Sequence, residues 1–182
     1  MPITDFDSAE FDALRATIRE RGTARLYVVA GALAAWAALA VGVHLADLSG
    51  SITLAPLLVL AAAFEINFFV HTGVERIGRY LQVFHEERAG TIRWETIAMQ
   101  YGARFPSGIG VDPLFSIMFF AAAVVNFLTS IVVAAGRPGW MAVSLAAHLA
   151  FNYRIVRARH ASAIQRAIDL ERFRQLANER LQ

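Results

Sequence analysis

The sequence predicts an all-α membrane protein with four transmembrane helices, both termini cytoplasmic, and helices two and four extended into a cytosolic helical collar. Three observations carry that expectation. Hydrophobic residues make up 57% of the 182 residues and the mean hydropathy is +0.46, above the apolar share usual in soluble domains. Four apolar segments approach or reach the roughly 20 residues that a span needs. The arginines gather on one side of those segments, as the positive-inside rule requires of cytoplasmic loops.

Taken in order, residues 1–23 predict an amphipathic cytosolic helix. Thr4 or Asp5 can cap it, its first turns are acidic, its end carries Arg15, Arg19 and Arg21, and Phe11, Leu14 and Ile18 form an apolar stripe. Residues 24–45 form span one, charge-free from Leu26 to Val43. Acidic residues from Asp5 to Glu20 precede that run, so it reads as a retained signal anchor rather than a cleavable signal. Span two covers 52–72 and is interrupted by Glu65 and Asn67. Gly73 and Gly78 weaken the helix only modestly, so it should continue to about Arg88 and end near Ala89-Gly90.

Trp94, Ile97, Ala98 and Tyr101 then mark a short amphipathic helix, closed by Gly102 and the loop Phe105-Pro106-Ser107-Gly108. These elements make residues 73–105 a cytosolic helical extension. Span three, 113–135, has Asn126 as its one strongly polar residue. Span four, 138–156, has a short apolar run to Tyr153 between Arg137 and Arg154, whose side chains can snorkel outward. From there to Gln182 no Gly or Pro occurs. Ile164, Ile168, Leu170, Phe173, Ala177 and Leu181 give a helical apolar face to the second extension, 157–182. The whole chain, 1–182, reads as a single membrane domain.

Composition excludes several chemistries. No cysteine is present and all 17 basic residues are Arg, which removes disulfides, thiolate metal sites, Schiff-base lysines and a phosphate-loop lysine. The arginine bias and alanine content point to a bacterial inner (cytoplasmic) membrane. With a net charge of only +2 and arginines confined to the flanks of apolar runs, no nucleic-acid partner is expected. Ser107-Gly108-Ile109-Gly110 lacks a nucleophile or phosphate-loop frame, and no enzyme is predicted.

Helix two carries the candidate site. Asn67, His71, Glu75 and Arg79 recur every four residues, drifting about 40° per step, and Glu65, Thr72 and Arg76 form a stripe beside them. An ionisable residue inside a span ordinarily faces protein, a cavity or a pathway. Counting about 1.5 Å per residue from the flanking arginines puts Glu65 level with Asn126, and His71 level with His148, with Asn152 one turn below. The polar core or pathway is therefore expected at Glu65, Asn67, His71, Glu75, Asn126, His148 and Asn152, with Arg76 and Arg79 as a charged collar. Glu75 and Arg79 read as an ordinary i,i+4 ion pair, and His44 and Asp47 as interfacial residues.

No cofactor or metal is expected, because His71 and His148 come without metal-ligand spacing and are only weak candidates for bis-histidine haem or metal ligation. The expected partners are the lipid bilayer, a homo-oligomer of the chain itself and a larger protein partner. The function expected first is a channel-like homo-oligomer with the polar face of helix two lining an ion or proton pathway. The alternative is a non-conducting anchor or accessory subunit that binds the larger partner through its cytosolic helices.

Overall fold

The computed structural model describes residues 5–46, 52, 54–88, 90, 93–104, 112–133 and 136–179. The expected cap at Thr4, the interfacial Asp47, the loop at 105–108, the Ser107–Gly110 turn and Leu181 lie outside them. Among the described residues the regular structure is entirely helical. The helices are α1 (Asp5–Leu45), α2 (Leu54–Leu81, continued by a π-helical segment Gln82–Glu87), α3 (Trp94–Arg104), α4 (Ser116–Val133) and α5 (Pro138–Glu179).

Among the described residues, three helices are long and apolar enough to cross a membrane: α1, α2 with its continuation, and α4. The expected fourth span is the first part of α5 and is not among the three, since its apolar run gives way to Arg154, Arg157 and Arg159. The N-terminal helix and span one are a single unbroken helix, because nothing between Gly22 and Arg25 is a strong enough breaker. The end of helix two falls where expected: Gly90 takes a left-handed conformation (φ 65°) and its N–H bonds to the Glu87 carbonyl, the role glycine suits at a helix terminus.

The chain forms two compact units. One comprises residues 25–69 and 112–160. Its core is built by α1 (Val29, Ala32), α2 (Leu57, Leu60, Ala63, Phe64), α4 (Phe119, Ala122, Ala123) and α5 (Phe151, Ile155, Ala158). Phe64 is fully buried and meets Phe119 and Phe151 edge-on, at 5.3 Å and 6.0 Å between ring centroids, the geometry the ring quadrupoles favour. Alanines on the facing surfaces allow the close approach on which helix packing in lipid depends.

The start of α4 is fixed by Asp112, whose carboxylate accepts from the N–H groups of Leu114 (3.3 Å) and Ile117 (2.9 Å), a side-chain cap. Phe115, just before the helix, has φ 54°, which costs a bulky residue about 1–3 kcal/mol.

The other unit comprises residues 1–24, 70–111 and 161–182. Its apolar centre is aromatic: Tyr80 stacks on Phe84 at 4.8 Å and meets Phe173 edge-on at 5.8 Å. Ion pairs surround that centre, and the acidic side of the π-helical segment receives α3.

Candidate functional site

In the 25–69/112–160 unit the polar residues of the apolar segments divide into three groups. The first joins α1, α4 and α5. Trp36 Nε1–H donates to Asn126 Oδ1 at 3.2 Å, and Asn126 Nδ2 lies 3.0 Å from His148 Nε2. An indole N–H can only donate, which fixes the orientation of the amide, and the amide nitrogen must then donate to the imidazole. His148 is therefore the neutral tautomer with hydrogen on Nδ1, which donates to the Ser144 carbonyl at 2.7 Å. Ser144 and Ser130 share a hydroxyl–hydroxyl bond of 2.8 Å, and Ser130 also donates to the Phe127 carbonyl. Both histidine nitrogens are thus held by protein groups, so this ring does not fit the role of a metal or haem ligand. Beside Asn126 a cavity of about 20 Å³, bordered by His44, Pro56 and Thr129, has room for one water.

The second group is Asn67. Fully buried on α2, it accepts from Arg25 Nε at 2.9 Å and donates to the Leu114 carbonyl at 2.8 Å. The Arg25 guanidinium also lies 5.8 Å from the Phe115 ring. The amide and the arginine together hold the strained turn that starts α4.

The third is Glu65, which pairs with Arg154 Nη2 at 2.7 Å, while that guanidinium lies 4.8 Å over the Phe68 ring. The carboxylate is 48% and the arginine 38% exposed. The expected layer of Glu65 with Asn126 is not formed: Asn126 turns inward to His148 and Trp36, while Glu65 stands on an exposed face. Equal depth fixes one coordinate only, and helix rotation separates the two residues. Asn152 Oδ1 is buried without a hydrogen-bond partner among the described residues.

His71 is buried and belongs to the other unit. The remaining polar residues of α2 are matched within that unit. Glu75 forms an ion pair with Arg166 at 2.6 Å, and Arg76 with Asp169 at 3.2 Å. Arg79 contacts Glu95 at 3.2 Å and Gln82 at 2.7 Å. The close ion-pair partners are thus Arg166 for Glu75 and Glu95 for Arg79, while Glu75 still acts on the Arg79 guanidinium through its charge. Burial pushes the Glu95 carboxyl up despite the opposing Arg79 and Arg15, with Glu86 and Glu75 adding to the rise. Burial likewise holds the Arg79 guanidinium below its usual value. Among the described residues, no three His, Asp or Glu side chains are grouped to hold a metal.

Sequence reasoning missed Trp36 and Arg25. The available signals were the one indole donor within span one and the last basic residue before that span's apolar run. No protein family, curated protein or solved structure matches the chain, so its function has to be argued from the arrangement above.

Proposed function

We propose that the chain is a small bacterial inner-membrane protein with four spans and cytoplasmic termini, acting as a non-conducting anchor or accessory subunit for a larger partner. The observation that carries this reading is the engagement of helix two. Asn67, Glu75, Arg76 and Arg79 are each committed to a close partner within their own unit. A conducting pathway needs groups that can take up and release a passing ion, and groups matched this way serve instead to join helices.

The pathway reading keeps one supporting observation: the Glu65–Arg154 pair stands half-exposed on an apolar segment. Charge at membrane depth is ordinarily sheltered, and a second copy of the chain would shelter it.

Ion flux into dye-loaded proteoliposomes under an imposed potential separates the two. The anchor reading expects the rate of protein-free vesicles, for the wild type and for Glu65→Gln alike. A flux that Glu65→Gln abolishes would sink it and establish the pathway.

A further inference from the structure

Helix α3 is amphipathic with its sides exchanged. Its carboxylate, Glu95, points inward and receives Arg15 at 3.0 Å and Arg79 at 3.2 Å. Its apolar residues point outward: Trp94 is 67%, Ile97 51% and Tyr101 65% exposed. Those three lie at i, i+3 and i+7, one stripe of a helix. The helix cannot roll over to bury them. Glu86 on the π-helical segment accepts from the Glu95 N–H at 3.0 Å and the Thr96 N–H at 2.8 Å, and from the Thr96 hydroxyl at 2.7 Å. The apolar stripe is thus held outward by charge contacts on the opposite side, and exposed Arg93 and Arg104 lie at its two ends.

The level of α3 is given by its contact with α2. A Cβ at Gly78 would lie 2.9 Å from Glu95 Oε2, so nothing separates the two helices there. Gly78 is two residues, about 3 Å, past Arg76, the first arginine after span two, and Glu86, which caps α3, is ten residues, about 15 Å, past it. A helix at that height with Trp and Tyr outward and Arg at both ends has the chemistry of a membrane interface, where aromatic rings and guanidinium groups are favoured.

We propose that α3 lies in the headgroup layer of the chain's own membrane, with Trp94, Ile97 and Tyr101 toward the acyl boundary and Arg93 and Arg104 against lipid phosphates. This rests on membrane residence alone and holds whether or not the chain conducts.

The absence of cysteine makes the test direct. Ile97→Cys and Tyr101→Cys are each spin-labelled and reconstituted in vesicles of phosphatidylethanolamine with phosphatidylglycerol. Collision rates with oxygen and with a water-soluble nickel chelate are then compared. Lipid contact gives oxygen the higher rate at both labels. A higher nickel rate would place the stripe in water and overturn the proposal. So would an immobilised label shielded from both colliders, which would put a second copy or another protein on this face. The two variants are read independently, so poor folding of one leaves the other decisive.

Discussion

At the scale of the residue, the interior of this protein depends on amides and an imidazole that each meet more than one helix. Asn126 bonds to Trp36 on α1 and His148 on α5, so Asn126→Leu should strand a donor and an acceptor together. The expected loss is about 1–3 kcal/mol per stranded group, measurable as a lower midpoint in detergent unfolding. Glu95 gives a second expectation, with a definite sign. Its carboxyl is raised by burial above the ordinary 4.5, so the folded state holds its proton more tightly than the unfolded state. The stability this contributes is fully present below pH 4.5 and is lost as pH rises through the folded-state value. The wild type should therefore lose stability relative to Glu95→Gln across that interval, seen as a pH-dependent gap between their unfolding midpoints. Glu95→Ala should cost about 3–5 kcal/mol, because Arg79 stays buried without its counter-charge. Replacing both residues with apolar ones should recover much of that loss.

At the scale of the element, two glycines with the same helical propensity should respond with opposite signs. Gly22 has open space around an added Cβ, whereas one at Gly78 meets the Glu95 carboxylate, which two arginines hold in place. Gly22→Ala should stabilise α1 by about 0.5–1 kcal/mol. Gly78→Ala should loosen α3 despite the same propensity gain, read as faster hydrogen exchange at the Thr96 amide. Element existence was largely legible in the sequence, because apolar periodicity and the Gly90 terminus are local signals. The long helix through Glu179 followed from the lack of Gly and Pro in the same way. The π-helical segment and the capping of α3 by Glu86 were not legible, since both depend on residues that meet only after packing. Asn67, Asn126 and His148 were legible as polar residues inside apolar segments, but Trp36, Arg25 and the pairing of these groups were not. Depth along a helix can be counted, but the rotation that brings Asn126 to His148 and sends Glu65 to Arg154 is set by neighbouring helices.

At the scale of the whole molecule, apolar character dominates and three helices among the described residues are long and apolar enough to cross a membrane, so the informative surface feature is charge standing where lipid is expected. The Glu65–Arg154 pair is such a feature. If a second copy covers it, Glu65→Gln and Arg154→Gln should each shift native mass spectra of the detergent-released protein toward monomer. If lipid and snorkelling suffice, the distribution should match the wild type. That outcome would remove the main argument for an oligomeric pathway and leave the anchor reading in place.

The wide turn at Gln82–Glu87 carries a consequence for how this chain tolerates changes in length. The Arg88 N–H reaches back five residues to the Val83 carbonyl, so the segment accommodates one residue more than an α-helical turn would. Deleting a single residue such as His85 would let ordinary α-helical bonding close the gap without breaking the rod. Only Glu86, Glu87, Arg88 and Ala89 follow before the Gly90 terminus, so the change would fall on the Glu86 carboxylate that caps α3. Insertions and deletions are usually absorbed by loops, but here the last turns of a helix already hold the extra residue.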